Sequence, residues 1–229
     1  LFPYTTLFRS LTMDFQHTET RQMLGDTLNR YFSERYGSGV RRRSSLTPGH
    51  DRGTWAQLVE LGALGALFDD HDGGYGGSGF DTMVVFEALG RNLVVERLLG
   101  NLICGRALAL AGHAARHGVV AGDTLMAFAH QEACARDALA HVETRARLSA
   151  GEWSLSGNKS VVLAAEACTH ALVSARVSGS STEPAGIALF VVALDAPGVT
   201  LRAYPLIDGG RAAELALRDV RLGANSLVA

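Results

Sequence analysis

Gly73-Gly74-Tyr75-Gly76-Gly77-Ser78-Gly79 interrupts a helical half of the chain, and two incompatible folds compete for it. From Gly74 onward it spells G-x-G-x-x-G, the loop that cradles a dinucleotide pyrophosphate. That chemistry needs a strand before the glycines and a helix after them, inside a βαβ unit. A helical pattern over Leu58–Leu67 stands where the strand should be, and no βαβ alternation surrounds it. Six residues this rich in glycine match the motif cheaply. The stretch is therefore read as an inter-helix loop whose glycines supply backbone conformations with φ > 0.

Working outward from the loop, helical periods dominate on both sides. Upstream, Met23, Leu24, Leu28, Tyr31 and Phe32 recur at helical spacing. The Gly/Ser/Arg-rich stretch Tyr36–Asp51 reads as a loop. Its Arg41-Arg42-Arg43 run lacks interleaved aromatics and a wider basic field, so it reads as solvated rather than as a nucleic-acid patch. A helix then starts at Thr54, where Thr54 and Gln57 fit a capping box, and continues through Leu58, Val59 and Leu61. Downstream, helices are predicted over Asp81–Leu89, stopped by Gly90, over Leu98–Ala111, stopped by Gly112, and over a short piece at 113–120.

Near Gly122 the period switches from 3.6 to 2. Polar His141, Glu143, Arg145 and Arg147 alternate with Val142, Thr144, Ala146 and Leu148, the pattern of a strand with one buried face. Ala150-Gly151 can turn that strand into Trp153–Leu155. Ala171–Val177, Ile187–Leu194 and Val199–Tyr204 read as further strands. Helices followed by strands imply two domains or a segregated α+β fold, dividing near Gly122.

Composition narrows the function classes. A formal net charge of −2 offers no electrostatic case for nucleic acid or an anionic membrane. No apolar run approaches the roughly 20 residues that span a bilayer. Cys104, Cys134 and Cys168 are odd in number and widely spaced, which fits three buried thiols in a reducing, cytoplasmic compartment. All but Lys159 of the 21 basic residues are arginine, the mark of a GC-rich and hence bacterial coding sequence. Leu1-Phe2-Pro3-Tyr4-Thr5-Thr6-Leu7-Phe8-Arg9-Ser10 resembles the in-frame translation of a sequencing adapter. Residues 1–12 are accordingly read as a non-native leader, with Met13 as the start.

Self-contained catalytic motifs do not emerge. His113 and His117 share a helical face, but no glutamate follows His113 and no third ligand is evident, so they read as a solvated pair and no metal is expected. Neither a G-x-S-x-G elbow nor a Cys-plus-His constellation is present.

Several stretches, in order, resemble the acyl-CoA dehydrogenase family. Leu61-Gly62-Ala63-Leu64-Gly65, then Gly73-Gly74-Tyr75-Gly76-Gly77, then Glu87-Ala88-Leu89-Gly90-Arg91 are similar to its pattern L-G-x-x-G … G-G-x-G … E-x-L-G-R. Ala127-Phe128-Ala129-His130-Gln131-Glu132 is similar to its first middle-domain strand, and Gly157-Asn158-Lys159 to the G-x-K before a W-I-T or W-I-S segment. Ala175-Arg176, Phe190-Val191-Val192, Pro197-Gly198-Val199 and Asp219-Val220-Arg221-Leu222 resemble later landmarks, in the manner of the small subunits of pimeloyl-CoA dehydrogenase.

The resemblance implies a helical N-terminal domain at 13–122, an antiparallel β-barrel-like middle domain at 123–229 and a C-terminal four-helix bundle, with FAD between the last two. The substrate would be an acyl-CoA thioester, desaturated between its α and β carbons, and the electron acceptor an electron-transfer flavoprotein. A homo- or hetero-oligomer is expected when full length. The catalytic glutamate would lie beyond residue 229, so the fragment alone is expected to be inactive. Phe128, His130, Gln131, Val161 and Leu163 fall at flavin-contacting positions, with Val161 in place of a tryptophan and Leu163 in place of a hydroxyl side chain. Arg136-Asp137-Ala138 replaces the usual Gly-Ser-Asp, leaving Asp137 as a weak substrate-binding candidate. These departures keep two other readings open: a non-catalytic partner subunit of a heteromeric dehydrogenase, and a flavin oxidase or monooxygenase of the same fold.

Overall fold

The structure is a computed structural model, and it describes residues 16–46 and 52–229. The adapter-like leader, Met13 and the end of the predicted Tyr36–Asp51 loop lie outside the described residues.

Among the described residues six α-helices come first: α1 (Glu19–Arg35), α2 (Ser38–Leu46), α3 (Arg52–Glu60), α4 (Gly79–Arg91), α5 (Leu98–Leu110) and α6 (Arg116–Val120). α1 buries Leu28 and Phe32 and turns Met23 outward at 64% exposure, so the apolar face is narrower than the sequence pattern. Three local expectations are corrected. Ser38–Leu46 is helical rather than loop, because Val40 packs onto the helical core and outweighs the Gly and Ser content. α3 begins before Thr54, so Thr54 sits inside the helix and Gln57 bonds Glu60 Oε2 at 2.7 Å instead of closing a capping box. α4 runs through Gly90, whose Cβ position faces open space. It starts from a capping box that the sequence reading missed, formed by Ser78 and Asp81 and buttressed by Arg21 of α1 at 2.7 Å from Asp81.

The glycine loop behaves as an inter-helix connection. Gly73 and Gly77 have φ of 93° and 85°. Gly74 and Gly76 are needed for a second reason, close approach to the turn at Gly65–Phe68. A Cβ on Gly74 would stand 2.2 Å from Phe68 O and 2.5 Å from Gly65 O. Gly74→Ala is expected to lower stability by about 1–3 kcal/mol, since rigid backbone must move. A urea midpoint indistinguishable from the parent would contradict this packing.

Seven strands follow: β1 (Met126–Ala129), β2 (Arg145–Ser149), β3 (Glu152–Leu163), β4 (His170–Arg176), β5 (Ile187–Ala193), β6 (Val199–Pro205) and β7 (Arg211–Leu222). They form one curled sheet in the order β1-β4-β2-β3-β7-β6, with β5 also on β4. The ladders β2–β3, β3–β7, β6–β7 and β4–β5 are antiparallel as expected, but β1 joins β4 in parallel, making the sheet mixed. The β2–β3 hairpin turns at Ala150 and Gly151, both with φ > 0, the geometry that matches strand twist. Val142, Thr144 and Ala146 face inward as predicted, whereas Leu148 is 59% exposed near the hairpin tip.

A core of Val173, Phe190, Leu215, Leu217 and Val220 fills the curl of the sheet, and Leu28, Phe32, Leu58, Leu67 and Val85 fill the helical layer. A third cluster, Cys104, Leu108, Val119, Met126 and Leu172, joins α5 and α6 to β1 and β4. Buried Asn101 of α5 reinforces that joint, taking Met126 N–H at 2.9 Å and donating to Thr124 O at 3.3 Å. Trp55 Nε1 donates to Gly122 O at 2.9 Å, fixing the point where helices give way to strands. Cys104 is buried as expected, but Cys134 is exposed. No helix among the described residues is long and apolar enough to cross a membrane.

Candidate functional site

Polar chemistry concentrates where β1 ends and β3 bends. β1 stops at Ala129, and His130-Gln131-Glu132 leave the sheet alongside β3. Ser160 N–H donates to Gln131 O at 2.8 Å, so the two segments are stitched together. β3 is irregular at this point. Its register on β7 shifts between Lys159 and Val162, and Val161 has φ of 53°. A β-branched residue in the left-handed region is a genuine outlier, costing on the order of 1–3 kcal/mol. The bulge sends Val161 and Leu163 outward, 47% and 46% exposed, while Val162 between them is buried.

Behind this edge lies a closed network. Glu132 Oε1 accepts from Lys159 Nζ at 2.7 Å, Thr144 Oγ1 at 2.7 Å and Thr144 N–H at 3.0 Å, and Oε2 accepts from Glu143 N–H at 2.6 Å. Lys159 Nζ also donates to His130 O at 3.1 Å and Ser174 Oγ at 3.0 Å, so all three of its donors are used. Burial pushes the Glu132 carboxyl up, but the hydrogen bonds from Lys159 and Thr144 outweigh it and hold the group below its usual range. Burial lowers Lys159 from the ordinary lysine value, with Glu132 offsetting part of the effect.

His130 ends the chain of bonds. Its Nδ1 lies 2.9 Å from Ser174 Oγ. Lys159 takes one lone pair of that oxygen, so Nδ1 either accepts the Ser174 hydroxyl proton or donates to the second lone pair, and the ring tautomer sets which. Burial, then the Lys159 charge, lowers the His130 pKa and keeps the imidazole neutral. The ring stacks on Phe128, 5.7 Å between centroids.

The structure therefore brings together residues that the sequence lists apart. Phe128, His130 and Gln131 line the exit of β1, and Val161 and Leu163 sit on the adjoining bulge. Asp137 lies on the exposed turn that Gln131 anchors, its side-chain Nε2 donating to Arg136 O at 3.0 Å. That bond engages one of the two Gln131 amide hydrogens with the local backbone. Glu132, Lys159, Thr144 and Ser174 were missed as a unit. The one signal pointing to them was that Lys159 is the single lysine of the chain.

The edge fits the ring of a flavin in part. Two exposed apolar side chains on a strained bulge, beside backbone at the end of a strand, suit a flat ring with an apolar face and a polar rim. Side-chain donors are scarce, since Leu163 has none and one Gln131 N–H is spent on Arg136 O. Outside this edge, His117 is exposed as expected, whereas His113 is tied into the fold. His113 Nε2 lies 2.8 Å from Asn225 O and Nδ1 accepts Ala115 N–H, tying the last turn of the chain to α6.

Comparisons with known proteins converge on one family. Residues 18–118 match the N-terminal domain of acyl-CoA dehydrogenase and residues 127–220 its middle domain. The acyl-CoA dehydrogenase FadE12 of Mycobacterium tuberculosis is 27% identical over 223 residues, 93% of this chain and 57% of that protein. The ChsE4–ChsE5 complex from Mycobacterium tuberculosis superposes with a TM-score of 0.80 at 23% identity, covering 94% of this chain and 58% of the matched one. Butyryl-CoA dehydrogenase from Megasphaera elsdenii gives 0.81 at 22% identity, covering 94% and 60%. At those identities the two structures speak to fold alone. The chain spans a little over half the length of each.

Proposed function

The chain belongs to the acyl-CoA dehydrogenase family, and from that premise we propose that its whole protein uses FAD to desaturate an acyl-CoA thioester to the enoyl-CoA. The observation that carries the reading is the strained bulge, which presents Val161 and Leu163 to solvent beside the exit of β1. Strain of this kind persists where the surroundings over-determine it, and it clusters at ligand sites.

Each residue has a physical part. Val161 and Leu163 cover an apolar ring face and exclude water from it. The backbone of Phe128–Gln131 offers its amides to the ring's polar rim, a contact that survives the unusual side chains. Phe128 and neutral His130 form a stacked wall that adds no charge. Lys159 and Glu132 fix the two segments from behind without touching the ligand. Bound there, FAD supplies the hydride acceptor that protein side chains lack. In this reading Asp137, on its exposed turn, meets the polar part of a substrate. Removal of the α proton is not assigned to Glu132, whose carboxylate is fully engaged by Lys159, Thr144 and Glu143.

We extend the proposal outside the edge, on family likeness alone, to a cytoplasmic lipid-degrading enzyme, oligomeric, delivering electrons to an electron-transfer flavoprotein. The whole protein, purified, should be yellow and should convert an acyl-CoA to the enoyl-CoA when an artificial electron acceptor is added. Flavin without enoyl product, but with oxygen consumption, would favour a same-fold oxidase. Absence of flavin would favour a non-catalytic partner subunit, the reading that Leu163's lack of a donor supports.

A further inference from the structure

Lys159 is fully buried, yet one of its three donors is spent on a backbone carbonyl rather than on a charge. Its Nζ lies 2.7 Å from Glu132 Oε1, 3.0 Å from Ser174 Oγ and 3.1 Å from His130 O. Glu132 and Ser174 thus hold the ammonium from two sides where it meets that carbonyl. No cis peptide bond occurs among the described residues. In a planar trans unit the C=O and the N–H that follows it point in opposite directions. With the His130 carbonyl drawn inward to Lys159, the Gln131 N–H points away from the buried ammonium. No protein group among the described residues accepts from it. The next peptide unit is tied down as well, since Gln131 O accepts from Ser160 N–H at 2.8 Å.

From this geometry we infer that Lys159 is a positioning residue that aims the Gln131 N–H at the polar rim of the flavin. The inference rests on the reading of that edge given above. It gives the buried ion pair a task besides stability: Glu132 and Ser174 orient Lys159, and Lys159 orients the peptide. The His130–Gln131 unit lies past the last β1–β4 pair, Ala129 with Val173, so the ladder itself does not fix its plane. Without the ammonium the unit is able to rotate, which would put a carbonyl where the donor stood. A donor held in place before the ligand arrives costs no ordering on binding. The side chain of Gln131 is not needed for this contact, which accounts for an amide side chain being tolerated there while one of its hydrogens is spent on Arg136 O.

The test uses the whole protein and two readouts: the FAD dissociation constant, and hydrogen–deuterium exchange of the peptide around 128–132 with and without FAD. Glu132→Leu combined with Lys159→Met removes the donor to His130 O without leaving a lone charge. That double variant should fold, exchange faster around 128–132 and weaken FAD by about tenfold, the scale of one well-placed hydrogen bond. Ser174→Ala removes a support of Lys159 but leaves its bond to His130 O, so FAD affinity should stay within about twofold of the parent. Gln131→Pro deletes the N–H itself and leaves the ion pair intact. It should weaken FAD as the double variant does, and combining all three changes should weaken it no further. Full FAD affinity in the double variant or in Gln131→Pro overturns the inference. An equal loss in Ser174→Ala also overturns it, because the network as a whole rather than one bond would then be responsible. A double variant that does not fold makes the pair a requirement of the fold and overturns it as a positioning device. If the parent carries no flavin, the function reading fails; faster exchange around 128–132 in the double variant, but not in Ser174→Ala, still decides whether Lys159 holds the peptide.

Discussion

Glu132→Gln should destabilise the fold by about 3–5 kcal/mol, because it leaves the Lys159 ammonium buried without its counter-charge. Glutamine keeps one carbonyl oxygen for Lys159 and Thr144, but its amide would point N–H groups at the Glu143 N–H, which now donates to Oε2. Lys159 is fully buried, so water cannot replace the lost partner. Chemical denaturation at neutral pH should show the shift in midpoint. Replacing both partners, as Glu132→Leu with Lys159→Met, should cost less than the sum of the single changes, since no lone charge remains.

The same pair sets an acid limit. The folded-state pKa of Glu132 lies below its ordinary value, so the unfolded chain binds its proton first as pH falls. Its stabilisation is complete above the ordinary glutamate pKa of about 4.3 and is lost as pH drops through the lower folded value. The gap between parent and Glu132→Gln should therefore be constant from neutral pH down to that point and narrow below it. A gap that instead widened in acid would show that the carboxylate is not held low.

Arg176→Met should be as damaging, at about 3–5 kcal/mol, through a different route. The fully buried guanidinium donates from Nε to Val142 O at 3.1 Å and from Nη1 to Ala185 O at 2.8 Å. Its Nη2 donates to Ala140 O at 2.8 Å, Glu183 O at 3.0 Å and Ser181 O at 3.2 Å. One side chain at the end of β4 thereby organises the approach to β2 and the loop before β5. Methionine matches its stem but leaves those carbonyls without a donor. Lysine should rescue little, since three donors on one point cannot span the same fan. Proteolysis should begin at 140–142 and 181–185 in the variant. Cleavage spread evenly over the chain would argue against this role.

Much of the helical layer was legible because helical periodicity and stop signals are local. The ends of α5 and of the strands β4, β5 and β6 lie within a residue of their predicted bounds, while α6 starts three residues later than predicted. Failures occurred where a local signal was overruled from a distance. Ser and Gly around Val40 signal a loop, yet Val40 packs on the helical core and the segment coils. Thr54 and Gln57 spell a capping box, yet the helix begins earlier. β3 was read as a short strand because its period breaks after Leu155, and the break is the register shift and bulge rather than an end.

For the candidate site, the sequence by itself determined the family-like order of glycines, the β1 exit residues Phe128-Ala129-His130-Gln131, and the odd pair Val161 and Leu163. These are linear patterns, and linear patterns survive without coordinates. Tertiary structure alone decided that Lys159 meets Glu132 across 27 residues, that Arg176 caps carbonyls on two loops, and that Tyr204 of β6 meets Glu214 of β7. The physical reason is that buried polar groups must find partners, and in a curled sheet those partners come from strands far apart in sequence. Periodicity shows which face a residue takes, but only the closed sheet shows which group it meets there.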